Sequence, residues 1–432
     1  MKGPVGLREM APLVATLAIL SVFSLSEACH PPSITEQARY KTVYLAAYES
    51  RRLPCVANGS SPLTYVWTKN GHPLDITDGL SIGSGIFIEE GSGTLVIGNP
   101  QASDQGYYQC RVSNPCGTSL SVVTHTIHSF IHPFMPMAEP RVVTAMVGGS
   151  AVLRCHPPQS APPAEVSWML FSDDSDPSNF RYPMPVQLDD RRTVDHYGNL
   201  YITNVHPEDA VPDMKYRCVA MNPMTRTLVT GDDTKLVVNG HGFGTVLLTQ
   251  LMWATPSYIL VVKGQKATMK CIFSGNPVPT TTWQRVDGEL DSSRTYEDNF
   301  ELTIRDVQPN DSGQYECSGL GSQNGHAIRH LFHLLVKSAP EWRSQPIDTT
   351  VASGQGAQFE CSATGNPLPT VEWFINGQPY QSLPADPKRS VSGNGTTLTF
   401  LQLEASDSQV IQCNASNTYG YIWADAALYV HD

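Results

Sequence analysis

The feature that most constrains this chain is a spacing of cysteine, tryptophan and cysteine that occurs four times in 432 residues. In the clearest copy, Trp283 follows Cys271 by twelve positions, and Tyr315 precedes Cys317 by two. Apolar and polar residues alternate in two stretches of this copy, 266–271 and 300–305. An alternation with period two predicts β-strands with one buried face. Two such sheets must pack face to face, so that a disulfide can cross between them beside a buried indole.

These patterns predict an all-β protein of four tandem immunoglobulin-like β-sandwich domains. The predicted core tryptophans are Trp67, Trp168, Trp283 and Trp373, and the predicted tyrosine corners are Tyr108, Tyr216 and Tyr315. Ile411 takes the place of the corner tyrosine in the fourth copy, which we expect to remove one hydrogen bond without loss of the fold. The predicted segments are a signal peptide at 1–28 and domains at 29–127, 138–238, 246–337 and 338–432.

The N-terminal segment predicts secretion. Lys2 and Arg8 precede an apolar run from Ala11 to Leu25, and small residues follow at the predicted cleavage site. This run is shorter than the ~20 residues that span a bilayer, and no later apolar run is long enough. We therefore expect a secreted, extracellular chain without a transmembrane anchor. A plasma-membrane location would follow if the chain were part of a longer receptor.

The ten cysteines of an exported chain predict five disulfides. The four repeats predict the pairs Cys55 with Cys110, Cys155 with Cys218, Cys271 with Cys317, and Cys361 with Cys413. A fifth bridge between Cys29 and Cys116 is expected, because the first strand of this fold begins at the same end of the sandwich as the loop between its last two strands. Two free thiols and an intermolecular bond are the alternatives for this last pair.

The stretches between the predicted domains differ in character. The first is unusually apolar, and we expect its large side chains to pack between domains one and two, namely Phe130, Ile131, Phe134, Met135 and Met137. The second contains Gly240, Gly242 and Gly244, which predict a flexible hinge where the chain can reverse direction. The third, at 338–340, is short and contains a proline, so it predicts a stiff joint.

The formal net charge of −12 argues against a nucleic-acid partner, because phosphates favour a basic surface. The sequence has no His-Glu-x-x-His zinc motif and no phosphate-binding loop. We therefore predict that the protein is not an enzyme, that it has no catalytic residues and that it uses no cofactor.

Two kinds of residue cluster could in principle bind a metal ion. The histidine groups are His125, His128 and His132, and His326, His330 and His333. Spacings of three and four place ligands on one face of a helix, but they scatter them across both faces of a strand, so surface histidines are the favoured interpretation. An acidic segment with Asp173, Asp174 and Asp176 is interpreted as a solvated loop in preference to a calcium site. We predict no metal site.

Four Asn-x-Ser/Thr sequons mark candidate N-glycosylation sites at Asn58, Asn310, Asn394 and Asn414. Asn310 is the weakest of them, because it lies in the predicted tight turn before a core strand. The side chain of Asn414 should point outward, because it follows the inward-facing Cys413.

Several stretches resemble the L1 family of neural cell-adhesion molecules, which includes neuroglian, and the related four-domain soluble protein hemolin. They are 31–36, 198–201, the residues Ala339, Pro340 and Trp342, and the closing segment 413–421. The resemblance implies a horseshoe in which domain one lies against domain four and domain two against domain three. The pair Cys29 and Cys116 is not part of the family pattern.

Two functional hypotheses follow. The first is an extracellular cell-adhesion or recognition protein that binds copies of itself or other immunoglobulin-superfamily cell-surface proteins. The alternative, implied by the resemblance to hemolin, is a soluble immune-recognition protein that binds bacterial surface glycolipid and hemocytes. The negative net charge counts against anionic lipid head groups as ligands.

Overall fold

The computed structural model describes residues 29–38, 42–74, 76, 85–136, 141–172, 181–240, 246–321 and 327–432. The predicted signal peptide lies outside these residues, as do Met137, Asp173, Asp174, Asp176, Gly242, Gly244 and His326. The described residues form four successive β-sandwiches joined by short connections, which confirms the predicted fold class. Within these ranges, no helix combines the length and the apolar composition of a membrane span.

The first sandwich has a large sheet in the order β2-β11-β9-β5-β6, with β10 paired to β9, and an opposite sheet in the order β3-β8-β7, while β1 pairs with β4. Strands β2 and β11 run parallel, and the other neighbours are antiparallel. Their bounds are β1 Ser33–Gln37, β2 Thr42–Leu45, β3 Arg51–Leu53, β4 Cys55–Asn58, β5 Thr64–Lys69, β6 His72–Pro73, β7 Ile86–Ile88, β8 Leu95–Ile97, β9 Gly106–Asn114, β10 Gly117–Leu120 and β11 Thr124–His128.

The second sandwich repeats this plan, with sheets β13-β22-β20-β16-β17 and β14-β19-β18, and with β21 paired to β20. The bounds are β12 Phe130–Ile131, β13 Arg141–Met146, β14 Ala151–Leu153, β15 Ser160–Ala161, β16 Glu165–Ser172, β17 Met184–Pro185, β18 Arg192–Val194, β19 Leu200–Ile202, β20 Met214–Met221, β21 Leu228–Thr230 and β22 Thr234–Asn239.

The apolar stretch after domain one packs differently from the prediction. Phe130 and Ile131 form β12, which pairs with β15 of the second sandwich. Phe134 packs against the core of the same sandwich, whereas Met135 is 90% exposed. The stretch therefore extends the second domain instead of filling the space between two domains, and the prediction was wrong for Met135.

The third sandwich consists of the sheets β24-β30-β29-β26 and β23-β25-β28-β27. The bounds are β23 Leu247–Ala254, β24 Tyr258–Val262, β25 Ala267–Asn276, β26 Thr280–Arg285, β27 Thr295–Glu297, β28 Glu301–Ile304, β29 Gly313–Leu320 and β30 Ala327–Ser344. Strand β30 continues through Pro340 and pairs with β33 of the fourth sandwich, so one strand connects the last two domains.

The fourth sandwich has sheets β31-β39-β38-β34-β35 and β32-β37-β36. The bounds are β31 Thr349–Ala352, β32 Ala357–Glu360, β33 Ser362–Asn366, β34 Thr370–Ile375, β35 Gln378–Pro379, β36 Arg389–Ser392, β37 Thr397–Phe400, β38 Gln409–Asn417 and β39 Gly420–His431.

Each sandwich encloses one core cluster that contains its tryptophan and both cysteines of its disulfide. The indole N–H groups of Trp67, Trp168 and Trp373 donate to backbone carbonyls at 2.7–2.8 Å. The indole nitrogen of Trp283 is buried and has no hydrogen-bond partner among the described residues. The copy with the clearest sequence pattern therefore differs from the other three at this donor.

A short 3-10 turn precedes β9, β20, β29 and β38, and each turn ends on an aspartate that accepts a hydrogen bond from the backbone three residues earlier. The hydroxyl groups of Tyr108, Tyr216 and Tyr315 donate to the carbonyl of the same aspartate. In the fourth domain Ile411 occupies the tyrosine position and is buried in the core, so the turn forms without that hydrogen bond.

The four domains fold back on themselves. Domain one contacts domain four through β10 and β38, and domain two contacts domain three through a shared apolar cluster. This is the horseshoe arrangement that the family resemblance implied.

Candidate recognition surfaces

The N-terminal end of domain one is tied down where it meets domain four. The Cys29–Cys116 disulfide links the start of the described chain to the turn between β9 and β10. Asn114 donates from its side-chain amide to the carbonyl of His30 at 2.7 Å. Strand β1 then pairs with β4. Together these contacts hold the first residues of the domain beside β39.

The other four disulfides join Cys55 to Cys110, Cys155 to Cys218, Cys271 to Cys317 and Cys361 to Cys413. All ten cysteines are therefore disulfide-bonded.

The centre of the contact between domains one and four is Gln412 on β38. Its side-chain oxygen accepts a hydrogen bond from the Leu120 N–H at 3.0 Å, and its amide donates to the Leu120 carbonyl at 3.1 Å. Only 2% of Gln412 is exposed. The side chain thus pairs with the backbone of β10 as a further strand would. Tyr421 adds a hydrogen bond from its hydroxyl to the Val123 carbonyl.

Two glycines lie close to side chains of the opposite domain at this contact. A Cβ atom added at Gly117 would lie 2.7 Å from a methyl carbon of Val410 and 2.8 Å from the side-chain oxygen of Asn376. Gly377 has a φ of +73°, and a Cβ there would lie 3.1 Å from Thr118. A larger residue at either position would push the two domains apart.

Asp425 of β39 brings a carboxylate into the same contact. Burial raises the pKa of this carboxyl, and the neighbouring Asp348 raises it further, while a hydrogen bond with Ser33 of domain one lowers it. Asp348 also accepts a hydrogen bond from the Ala427 N–H at 2.8 Å. Beside them, the His30 ring lies 3.2 Å from the Tyr429 hydroxyl. The edge of the contact therefore contains two carboxylates that repel each other when both are ionised.

Replacement of Asp425 by asparagine is expected to strengthen the closed arrangement at neutral pH. Burial raises the pKa of Asp425 in the closed form, and we expect the part of this burial that domain one causes to be lost on opening, so that the closed form binds the proton more tightly. Protonation of Asp425 therefore stabilises the closed form. This stabilisation is fully present below the ordinary carboxyl pKa of ~3.9, and it is lost as the pH rises through the raised pKa of Asp425. Small-angle scattering between pH 4 and pH 7 should show a larger closed fraction for the wild type at the acidic end.

The matched control is Glu360→Gln, which removes one negative charge from the exposed sheet of the same domain. It should keep the pH dependence of the wild type, whereas Asp425→Asn should reduce it. Equal pH dependence in Asp425→Asn and the wild type would contradict this role of Asp425.

Domains two and three meet through the sheet of domain two that contains β19 and the sheet of domain three that contains β25. Tyr201 of β19 packs with Ile272 of β25 and with Phe300, and Trp253 lies against this cluster. The ammonium group of Lys270 donates to the Thr193 hydroxyl at 3.1 Å and to the Val194 carbonyl at 3.0 Å. The contact combines an apolar centre with a cation that is hydrogen-bonded across the joint.

The sheet of domain three that faces away from this contact carries exposed apolar residues. Tyr258 of β24 is 80% exposed and Leu260 is 54% exposed. On the adjacent β30, Leu331 and Leu335 are also exposed, and the His333 ring stacks on Tyr258 with centroids 5.0 Å apart. We call these five residues the domain-three stripe. Large apolar side chains that lie together on an exposed face are typical of an interaction site.

The histidine groups do not form metal sites in the described part of the chain. His125 stacks on Tyr107 with ring centroids 4.4 Å apart, and His132 packs on Phe130. His330 is half-buried, and burial lowers its pKa. Among the described residues, no three side chains of histidine, cysteine, aspartate or glutamate come together in a metal-binding arrangement.

The sequon asparagines lie in different environments. Asn58, Asn310 and Asn394 are exposed. Asn414 is only partly exposed, and its side-chain oxygen is buried without a described hydrogen-bond partner. Residue Gly240, at the start of the predicted hinge, has a φ of +100°, a conformation that favours glycine.

Sequence reasoning missed the polar residues of the interdomain contacts. Gln412, Asp425 and Lys270 each lie on an outward face of a strand, where polar residues are ordinarily solvated. Nothing in the local pattern distinguishes them from neighbours that remain in water. The apolar Ile272 was a detectable signal, because it breaks the alternation of β25 with a large side chain on the outward face.

Comparisons with known proteins agree with this architecture. The protein-family model described as "Immunoglobulin I-set domain" matches residues 340–430, and the family model described as "Immunoglobulin domain" matches residues 31–114 and 251–319. Neurofascin from Gallus gallus is 32% identical over 94% of this chain and 30% of its own length. Neural cell adhesion molecule L1 from Homo sapiens is 31% identical over 93% of this chain and 31% of its own length. The chain therefore spans about a third of the length of these relatives.

Two solved structures share the four-domain fold. The insect immune protein hemolin aligns with a TM-score of 0.75 and 22% identity, covering 93% of this chain and 100% of that one. Immunoglobulin domains 1–4 of Sidekick-1 align with a TM-score of 0.68 and 23% identity, covering 93% and 99%. The chain thus consists of four immunoglobulin domains that are similar in sequence to L1-family cell adhesion molecules and in fold to hemolin.

Proposed function

We propose that this chain is an extracellular adhesion or recognition protein that binds copies of itself or other immunoglobulin-superfamily proteins at the cell surface. The observation that carries the proposal is its similarity to neurofascin and L1 over more than nine tenths of its length. Five disulfides suit an oxidising, extracellular compartment. The proposed activity is binding without catalysis, because the curated relatives are named as adhesion molecules.

The surface that we propose for self-binding is the domain-three stripe. Closure of the horseshoe already occupies β10 of domain one and β38 of domain four. The contact between domains two and three uses the sheets that contain β19 and β25. The sheet of β24 and β30 is therefore left with its outer face exposed, and it presents tyrosine and leucine side chains there. The solved hemolin structure was described with implications for homophilic adhesion, so we propose a second copy of this chain as the occupant.

Bead aggregation with purified protein tests the proposal. Wild-type beads are expected to aggregate, and the double variant Leu260→Asp with Leu335→Asp should lose most of this activity because two charges would be buried in the contact. The matched control is Leu401→Asp, since Leu401 is similarly exposed but lies in domain four. It should aggregate like the wild type.

The outcomes separate the function from the surface. Wild-type protein that neither aggregates nor binds related ectodomains would contradict the adhesion function. If the stripe variant aggregates as strongly as the wild type, the adhesion function stands, but the domain-three stripe is not its binding surface. Binding to bacterial cells or glycolipid without self-aggregation would favour the immune-recognition alternative.

A further inference from the structure

Domain two contains a cavity that the adhesion function does not use. It has a volume of about 560 Å³ and lies beside residues 132–136, where the chain leaves β12 before β13 begins. This volume lies within the range of ~300–1,000 Å³ that is usual for small-molecule sites.

The floor of the cavity is apolar. It is lined by Trp168 and by the Cys155–Cys218 disulfide, which belong to the domain core. Phe134 forms a side wall, and Gly231 faces it without a side chain. Met135, which is almost fully exposed, lies at the margin. An apolar group that entered the cavity would be removed from water, and the burial of each methylene is worth about 0.8 kcal/mol in transfer free energy in general.

The rim of the cavity is cationic. Arg141 donates one hydrogen bond to the carbonyl of Arg154 at 2.6 Å, and its other terminal nitrogen lies 3.1 Å from the ring nitrogen Nδ1 of His156. These partners are a backbone carbonyl and an imidazole ring, and neither arginine forms an ion pair with a carboxylate among the described residues. Asp232 is the one carboxylate among the described lining residues. The described lining therefore has two arginines and one acidic group.

The position of Arg141 is suited to binding an anion. A guanidinium has five N–H donors, of which the carbonyl and imidazole partners use two. The remaining donors can bind a carboxylate, and the planar fork matches its two oxygens. Because Arg141 is already held by Arg154 and His156, little side-chain freedom is lost when an anion binds.

From the apolar floor and the cationic rim we infer that domain two binds a small anionic amphiphile, a carboxylate attached to a single apolar chain. The chain would lie against Trp168 and Phe134, and the carboxylate would meet Arg141 and Arg154. A multiply acylated lipid is too large for this cavity. The site is separate from the domain-three stripe, so it is independent of the proposed adhesion function.

Isothermal titration of the full chain with decanoate, below its micelle concentration, tests the site. Decanol supplies the chain without the charge, and acetate supplies the charge without the chain. Decanoate is expected to bind at least tenfold more tightly than either of them. Arg141→Gln should weaken decanoate binding about tenfold or more, because a charge-assisted hydrogen bond is lost, and it should leave decanol binding unchanged.

A second variant changes the wall of the cavity. A Cβ atom at Gly231 would lie 3.2 Å from the Phe134 ring, closer than an ordinary contact, so Gly231→Leu should displace that ring from the wall and weaken the binding of both decanoate and decanol. The matched control is Arg226→Gln, which removes a charge from an exposed turn of the same domain outside the cavity. It should bind decanoate like the wild type.

Circular dichroism and the thermal transition of each variant establish that the domain is folded. If Gly231→Leu does not fold, the comparison of Arg141→Gln with Arg226→Gln decides the question. The inference is overturned if folded wild-type protein does not bind decanoate, or if Arg141→Gln binds decanoate as tightly as the wild type does.

Discussion

Replacement of Cys29 and Cys116 together by serine is expected to loosen domain one and to weaken its contact with domain four. The bridge joins residues 87 positions apart, but the Cys55–Cys110 bridge lies within that loop and shortens it to roughly 30 residues, for which the loop-entropy model gives about 3–4 kcal/mol of stabilisation. The bridge also holds the residues that reach across the contact, because His30 meets Tyr429 and Ser33 meets Asp425. Loss of the bridge should therefore free strand β1 and open the horseshoe.

Hydrogen exchange of the β1 and β4 amides, together with small-angle scattering, measures the two effects. Ser33→Ala serves as the control, because it removes one contact with domain four and keeps the bridge. It should weaken closure without faster exchange in β4. If the double serine variant retains both the protection of β1 and the closed shape, the bridge does not have this role.

The substitution Gln412→Glu should open the horseshoe while leaving each domain folded. The carboxylate can still accept from the Leu120 N–H, but it has no proton to donate to the Leu120 carbonyl, and it is buried at a position that is 2% exposed. An unsatisfied buried group costs about 1–3 kcal/mol, and more if it is charged. A loss of about 2 kcal/mol shifts the ratio of closed to open molecules by roughly 30-fold.

Small-angle scattering should then show a larger radius of gyration for Gln412→Glu than for the wild type. The matched control is Gln358→Glu, which makes the same chemical change on an exposed position of β32 in the same domain. Its scattering curve should match that of the wild type. Identical curves for Gln412→Glu and Gln358→Glu would show that the Gln412 contact does not maintain closure.

Much of the fold could be predicted from local patterns. The spacing of cysteine and tryptophan, repeated four times, implied four sandwiches, because a disulfide between central strands and an indole beside it are features of this one architecture. The alternation of apolar residues identified strand faces, as in β25 and β28. The family resemblance predicted the horseshoe, and the structure has the interdomain contacts of that arrangement.

The candidate surfaces were less predictable, as Phe300 illustrates. It alternates in sequence with Leu302 and Ile304 and so reads as part of one core strand, but it packs towards domain two with Tyr201, whereas Leu302 and Ile304 lie in the domain-three core. Met135 is a second case. A large apolar residue is expected to be buried, yet it lies exposed at the margin of a cavity.

Local sequence patterns were enough to predict the four sandwiches and the direction in which most strand residues point. Both depend on a period of two and on spacings of about 50 residues that lie within one domain. The packing of the domains against each other buries Gln412 against Leu120, brings Lys270 within hydrogen-bonding distance of Thr193 and leaves the stripe on β24 and β30 exposed. The physical reason is that these environments depend on which faces meet when the chain reverses direction, and residues 77 or 292 positions apart carry no local signal of that meeting.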